Sequence, residues 1–144
     1  MRVRAEIDSA SARQDVNRNA EVGVTLAFEH EGVWYPGQEW NDFGFRVLGF
    51  WLEQILRIRD GRSTTPEFEF LDGAFCLSGS VHADGMVDLV PQHADTDFRW
   101  QLEWSDVENA IIIAAKSLCD QASELALEPR GIEGIHAGLR RLSE

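Results

Sequence analysis

The sequence predicts an α+β fold: an antiparallel meander sheet of about six or seven strands, with two main helices packed on one face of the sheet and a short C-terminal helix. Several short segments alternate apolar and polar residues, as half-buried strands do. Two longer segments repeat apolar residues at spacings of three and four, as amphipathic helices do. Asp-Gly and Pro-Gly pairs separate these segments, and the 144 residues suffice for a single domain, which we place at 1–144.

Alternation predicts the N-terminal strands. Residues 1–8 alternate throughout, and the polar residues 9–19 that follow predict a long loop. Alternation resumes over residues 22–28, whose apolar positions share one face. A turn at 30–32 then leads to a short strand, which the Pro-Gly pair at 36–37 ends.

The first helix is predicted over residues 43–59, where the apolar residues form a wide stripe. Asn41 or Asp42 is a competent N-cap for this helix. Gly44 and Gly49 are poor helix formers, so we expect them to allow close packing against the sheet. The stripe comprises Val47, Leu48, Trp51, Leu52, Ile55 and Leu56.

Residues 66–104 predict an antiparallel meander. The pair Asp72-Gly73 is typical of a two-residue hairpin loop. That loop pairs Leu71 with Ala74, Phe70 with Phe75, Glu69 with Cys76 and Phe68 with Leu77. A two-residue loop at the next turn would set an apolar residue opposite a polar one, so we expect a three-residue loop at 83–85 with a left-handed Gly85. The longer loop pairs Val81 with Val87 and Ser80 with Asp88.

The C-terminal part of the chain is predicted to be mainly helical. After a loop at 91–94, the inward residues of the last strand are Phe98, Trp100, Leu102 and Trp104. Ser105 and Glu108 have the spacing of a capping box, and the helix behind them is predicted to reach about Leu127. A short helix follows from near Glu133. The expected buried residues of the long helix are Ile111, Ala114, Ala115, Leu118, Ala122 and Leu125.

Charge restricts the partners of this chain. Thirteen basic residues against 25 acidic ones give a net charge of −12. Phosphate backbones repel such a surface, which excludes nucleic acid as a partner. The acidity either steers the chain toward a basic partner or keeps it soluble. No apolar run approaches the ~18 residues of a membrane helix, and the N-terminus lacks a signal-peptide pattern, so we expect a cytoplasmic protein with no membrane partner.

No sequence pattern identifies a reaction. Asp84 and His93 are suitable metal ligands, but the predicted meander places them at opposite ends of one strand, roughly 17–20 Å apart. Cys76 lies opposite Glu69, whose charge raises the pKa of a thiol, and Cys119 lies near the apolar side of a helix. Neither a nucleophile elbow nor a phosphate-binding or dinucleotide-binding glycine pattern is present. We therefore expect no catalysis, no metal and no cofactor.

Two groups of side chains are the candidates for binding a partner. One face of each strand in the meander is polar, and we expect that face to be open to solvent or to a partner. Its candidate carboxylates are Glu67, Glu69, Asp88 and Glu103. The candidate aromatic residues flank the Pro-Gly turn and are Trp34, Tyr35 and Trp40. These aromatic residues are either partly exposed contact residues or core residues that close one end of the sheet.

Two segments of the chain carry a family resemblance. The segment YPGQEWNDF at 35–43, continued by VLGFWL at 47–52 and by the Phe-Leu-Asp-Gly turn at 70–73, resembles small bacterial immunity proteins of polymorphic or contact-dependent toxin systems. Phe50 stands where that pattern has Trp. The resemblance implies a protein that binds one toxin tightly and blocks it without catalysis.

The resemblance and the charge together predict a non-catalytic immunity protein that neutralises a cognate, basic bacterial toxin through an acidic surface. Two alternatives belong to other functional classes. One is a small-ligand-binding domain or enzyme that uses a pocket between the first helix and the sheet. The other is a structural subunit that dimerises through an exposed sheet edge.

Overall fold

The computed structural model describes residues 1–8, 20–92 and 97–144 of the chain. These residues confirm the α+β class with three helices. The strands are β1 (Arg2–Ile7), β2 (Val24–His30), β3 (Val33–Tyr35), β4 (Asn41–Asp42), β5 (Glu67–Glu69), β6 (Cys76–Val81), β7 (Met86–Gln92) and β8 (Trp100–Glu103). The helices are α1 (Gly44–Arg59), α2 (Trp104–Glu124) and α3 (Ile132–Leu142).

The strands form two antiparallel sheets of four strands each, so the predicted single sheet of six or seven strands is wrong. The first sheet has the order β1-β2-β3, and β4 also pairs with β2. The second sheet is the meander β5-β6-β7-β8. Alternation within a strand shows which side chains face the core, but it does not show which strand is the neighbour. Helix α1 separates β4 from β5 in sequence, and both α1 and α2 contact strands of both sheets.

The predicted hairpin registers of the second sheet are confirmed. The His82 N–H donates to the Met86 carbonyl at 2.8 Å, so this pair closes the second hairpin and leaves a loop of three residues, 83–85. Gly85 adopts φ +87° in that loop. The observed pairs include Phe68 with Leu77, Glu69 with Cys76, Val81 with Val87 and Ser80 with Asp88. These pairs follow from the requirement that apolar residues of neighbouring strands face the same side.

Several element ends differ from the prediction. The hairpin pairing after β5 stops where the Phe70 N–H donates to the Phe75 carbonyl at 3.0 Å, and Leu71 beyond it is exposed. Strand β7 continues through Pro91, which was predicted to lie in a loop. Leu125 is exposed because α2 ends at Glu124. The predicted loop at 9–19 and residues 93–94 of the other loop lie outside the described residues.

Trp51 of α1 lies at the centre of the core and joins the two sheets. Its ring stacks on Phe28 of β2, with ring centroids 4.6 Å apart. It also packs edge-on against Phe68 of β5 at 5.8 Å and against Phe70 at 5.2 Å. The indole N–H donates to the Glu69 carbonyl at 2.9 Å. Because Trp51 is fully buried between them, the two sheets share one hydrophobic core.

The predicted side-chain caps do not form. Helix α1 begins after Phe43 without a side-chain cap, so neither predicted residue caps it. Helix α2 begins at Trp104, and its N-cap Glu103 has no side-chain cap bond. Glu108, expected to complete a capping box, instead accepts a hydrogen bond from the Trp104 indole at 2.8 Å and pairs with Arg59 at 3.2 Å. The side chain of Glu108 therefore links helices α1 and α2.

Helix side chains cover two of the sheet edges. Gln54 of α1 accepts a hydrogen bond from the Glu67 N–H at 3.0 Å, and the Trp51 indole donates to the Glu69 carbonyl. Backbone groups on the outer edge of β5 are therefore occupied. Gln121 of α2 donates to the Ala5 carbonyl and accepts from the Ile7 N–H, both at 2.9 Å, along β1. An incoming strand would need these same groups. These stretches of β5 and β1 therefore do not offer an open edge.

Glycines bring the helices close to their neighbours. Gly44 packs against the sheet, as predicted, but Gly49 faces the backbone of Gly134 in α3, so that part of the prediction is wrong. A Cβ atom at Gly138 of α3 would lie 3.0 Å from the Leu52 Cβ. Helix α3 therefore packs along α1 with little side-chain material between the two backbones.

Gly134→Ala is expected to stabilise the protein by about 0.5–1 kcal/mol, because alanine is the better helix former. The added Cβ atom would meet nothing within 4 Å. Gly138→Ala adds the same methyl group to the same helix, but against Leu52, so it should be neutral or destabilising. Urea denaturation of both variants measures the difference. Equal stabilisation by the two substitutions would contradict the close packing of α3 on α1.

Candidate functional site

The second sheet has one face turned to the core and one face turned away from it. Alternate residues such as Phe68, Leu77 and Leu89 are buried in the core. The register places their neighbours on the opposite face, where polar residues follow one another across the four strands. We call this surface the polar sheet face; its polar residues are Glu67, Glu69, Ser78, Ser80, His82, Asp88, Gln92, Gln101 and Glu103. The register also places Cys76, Met86 and Val90 on this face.

All four predicted carboxylates lie on the polar sheet face. Glu67 and Glu69 are exposed on β5, about 7 Å apart along the strand. Within the described parts of the chain, neither of them forms an ion pair. Asp88 lies two strands away, about 10 Å across the sheet. Glu103 is exposed on β8 opposite Met86. The face therefore carries negative charge from one edge strand to the other.

Asp88 is the carboxylate with the most defined surroundings on this face. Its Oδ2 atom lies 3.1 Å from His82 Nε2. The hydrogen bond with His82, followed by one with Gln101, lowers the pKa of Asp88 below its ordinary value. Asp88 therefore keeps its negative charge in mildly acidic solution.

Tyr35 is not a partly exposed contact residue, so this part of the prediction is wrong. Its side chain is only 1% exposed. The hydroxyl donates to the Cys76 carbonyl at 3.0 Å and accepts from the Cys76 N–H at 2.9 Å, which links β3 of the first sheet to β6 of the second. Burial raises the pKa of Tyr35 to about 12. Trp34 is half-buried, with the Arg2 guanidinium 5.1 Å from the centre of its ring.

Asp42, which the sequence suggested as a helix cap, is a buried carboxylate that organises the segment before α1. It is 2% exposed. Oδ1 accepts hydrogen bonds from the Phe43 N–H at 2.7 Å and the Leu71 N–H at 3.3 Å. Oδ2 accepts from the Trp40 indole at 3.1 Å and the Asp72 N–H at 3.2 Å. These four donors compensate the lost hydration of the carboxylate. The two segments that carry the resemblance therefore meet at this side chain.

Asp42 also holds an apolar patch at the surface. We call it the aromatic corner; it comprises Trp40, Phe43, Leu71 and Phe75. Phe43 is 40% exposed and Leu71 37% exposed. Trp40 packs edge-on against Phe75 with ring centroids 4.8 Å apart, and both rings are half-buried. The exposed acidic residues Glu39 and Asp72 flank the corner in sequence. An apolar patch with a polar rim is typical of a protein-binding surface.

The thiols of this chain are not activated. Burial raises the pKa of Cys76, and the charges of Glu69 and Glu67 raise it further. Burial also raises the pKa of Cys119. Both thiols are therefore protonated at neutral pH. In the ranges that the structure describes, no group of three or more His, Cys, Asp or Glu residues could hold a metal ion; His93 lies outside those ranges.

Two open grooves flank α1. The first, between α1 and β5, has a volume of about 330 Å³ and lies where the pocket hypothesis requires a cavity. Its lining residues are Phe50, Glu53, Gln54, Arg57, Glu67 and Glu69. The second groove, between α1 and α3, has a volume of about 450 Å³. Phe50 and Glu53 line both grooves.

Comparisons with protein-family models, curated proteins and solved structures found no match to this chain. Among the helices of the described residues, none combines the length and the apolar character that crossing a membrane requires.

Proposed function

We propose that this chain is a non-catalytic binding protein of the immunity type, which neutralises a cognate basic toxin domain in the cytoplasm. The polar sheet face carries the proposal. It is an open surface with four carboxylates, and the opposite face of the same sheet supplies the core residues. Because the carboxylate side chains on this surface do not pack in the core, they are available to contact a partner.

Charge supports a basic partner. The chain has a net charge of −12, and Glu67 and Glu69 have no ion pair in the described ranges that a partner would first have to break. Complementary charge accelerates association and disfavours wrong partners. The carboxylates on β5, β7 and β8 would meet a complementary basic surface across the whole width of the sheet.

The aromatic corner supports a contact of high affinity beside the charged face. Strand β5 ends at Glu69, two residues before Leu71 of the aromatic corner, so the two surfaces are continuous along the chain. Apolar and aromatic side chains near the centre of an interface supply most of its binding energy. The resemblance to immunity proteins supports the same surface, since both of its segments contribute residues to the corner.

Reversing two charges on the polar sheet face should slow toxin binding. The double variant Glu67→Lys and Glu69→Lys is expected to associate about tenfold more slowly with the cognate toxin domain, which the proposal expects a neighbouring gene to encode, because steering by complementary charge is lost. Surface plasmon resonance at two salt concentrations measures this rate. Thermal denaturation should show little change, because both side chains are exposed and unpaired in the described ranges.

The matched control is Glu124→Lys with Glu133→Lys, which makes the same change in net charge at exposed positions on α2 and α3. It should slow association far less. If both double variants slow association equally, the total charge matters and the polar sheet face is not the interface. If a neighbouring gene encodes no toxin and co-expression with candidate toxins rescues no growth, the immunity function is wrong.

The α1–β5 groove supports a second candidate function, a small-ligand-binding domain or enzyme. Its lining places Arg57 near the carboxylates of Glu67 and Glu69, next to the exposed ring of Phe50. Arg57 lines this groove but not the α1–α3 groove. Turnover or binding of a small molecule that is abolished by Arg57→Gln, but not by the control with Glu124→Lys and Glu133→Lys, would favour this function. The occupied edges of β5 and β1 argue against the third hypothesis, dimerisation through a sheet edge, at these two strands.

A further inference from the structure

The groove between α1 and α3 exists because the facing residues are small. Gly49 on α1 and Gly134 and Gly138 on α3 line it, together with Ala137. Its volume of about 450 Å³ lies within the ~300–1,000 Å³ that small-molecule sites occupy. Phe50 forms its largest apolar wall, and this ring is 51% exposed. The groove thus offers an apolar strip that the chain itself leaves uncovered.

Helices α1 and α3 run in the same direction, and the two ends of the groove differ in the residues that meet there. At one end, a Cβ atom at Gly131 would lie 2.9 Å from the Arg46 backbone nitrogen. At the other end, Arg141 pairs with Glu53 at 3.1 Å. Glu53 follows Arg46 by seven positions on the helix, so the apolar strip between the two ends is about 10 Å long.

Counted over the described residues, positive charge predominates at the first end. Arg46 and Arg130 line it, and both face Glu21, at 2.8 Å and 3.8 Å. In the described part of the chain, two guanidinium groups therefore share one carboxylate. Their side chains are 38% and 53% exposed, so a ligand can reach them. At the other end, Glu53 pairs with both Arg141 and Arg62, at 3.1 Å and 3.8 Å. Arg62 also pairs with Asp60, so two carboxylates face the two guanidinium groups there.

These observations restrict the ligand. A guanidinium group matches the planar, two-oxygen geometry of a carboxylate. A ligand with several negative charges would be repelled by a chain of net charge −12, so one charge is favoured and the apolar strip must supply the remaining affinity. We propose that the α1–α3 groove binds an amphipathic monocarboxylate, with its carboxylate at Arg46 and Arg130 and its apolar chain against Phe50. This site is separate from the polar sheet face and does not depend on the proposed function.

Decanoate, below its micellar concentration, is a suitable probe. We expect isothermal titration calorimetry to show one decanoate molecule bound per protein chain. In NMR spectra, the amide chemical-shift changes should be confined to α1, α3 and the residues around Glu21. Decanol lacks the negative charge of decanoate, and acetate lacks its long alkyl group. Each should bind at least about tenfold more weakly, because each loses one of the two contributions. Decanol binding as tightly as decanoate would overturn the role of the arginines.

Variants locate the site. Gly134→Leu should abolish decanoate binding by filling the groove, and the protein should stay folded because a Cβ at Gly134 meets nothing within 4 Å. Phe50→Ala and the double variant Arg46→Gln with Arg130→Gln should each weaken binding about tenfold or more. The control Arg99→Gln with Arg140→Gln removes two exposed arginines that do not line the groove and should leave binding unchanged. Circular dichroism melting confirms that each variant is folded.

Three results would overturn the proposal. The first is no decanoate binding by the unaltered chain at millimolar concentration. The second is undiminished binding by folded Gly134→Leu or Phe50→Ala. The third is an equal loss of affinity in both arginine double variants, which would show that only the total charge matters. Failure here leaves the toxin-binding experiment unaffected, since that experiment concerns another surface.

Discussion

Replacing Asp42 by alanine is expected to lower the free energy of unfolding by about 3 kcal/mol or more. The carboxylate accepts hydrogen bonds from the backbone N–H groups of Phe43, Leu71 and Asp72 and from the Trp40 indole. An orphaned buried donor costs about 1–3 kcal/mol, and alanine leaves several of these donors without a partner. Urea denaturation followed by tryptophan fluorescence measures the loss.

Asp42→Asn provides an intermediate test. The amide keeps one acceptor oxygen, but it places an NH2 group against either the Trp40 indole or a backbone N–H, both of which are donors. We expect a smaller loss than in the alanine variant. The control Asp72→Asn changes an exposed turn residue and should cost less than about 0.5 kcal/mol. If Asp42→Ala costs no more than this control, Asp42 does not organise the aromatic corner.

Gly44→Ala is expected to destabilise the protein by about 2–3 kcal/mol, a cost typical of overpacking a core. A Cβ atom at Gly44 would lie 2.5 Å from the Cβ of Val24 and 2.7–2.8 Å from its two methyl groups. Val24 is fully buried in β2, so α1 would have to move away from the first sheet. Chemical denaturation gives the size of the effect.

Gly49→Ala is the matched control for this change. It lies on the same helix, but the nearest atom to its added Cβ, the Gly134 carbonyl carbon, is 3.7 Å away, an ordinary contact. Better helix propensity should then leave this variant neutral or up to about 1 kcal/mol more stable. Val24→Ala should not rescue Gly44→Ala, because the Val24 Cβ is itself the closest atom. A clear rescue would mean that the methyl groups, and not the backbone approach, limit the packing.

Successive side chains of a strand point to opposite faces of the sheet, and this alternation, here called side-chain parity, made the second sheet predictable from the sequence. Once Asp72-Gly73 and Gly85 were taken as turns, only one loop length kept Val81 and Val87 on the same face, and the observed register agrees. The same parity placed Glu67, Glu69, Asp88 and Glu103 together on the polar sheet face. Alternation between the two faces depends only on residues that are close in sequence, so a short segment is enough to predict it.

Contacts between distant segments were not predictable in this way. The sequence left Tyr35 either partly exposed or in the core. The second sheet covers it and binds its hydroxyl, and no local pattern shows that contact. Asp42 lies just before the N-terminus of α1, where an aspartate usually caps the helix. The sequence around Asp42 does not show that the backbone N–H groups of residues 71 and 72 donate to it instead. The aromatic corner was missed for the same reason, since its residues come from two segments.

The separation between the polar sheet face and the core has an evolutionary consequence. Substitutions at Glu67, Glu69 or Glu103 leave the packing of the aromatic and aliphatic interior untouched, so recognition can diverge without a penalty in folding. The strand register would still hold any new side chains at the same spacing. A library randomised at these positions should therefore consist mostly of folded members that differ in the surfaces they select.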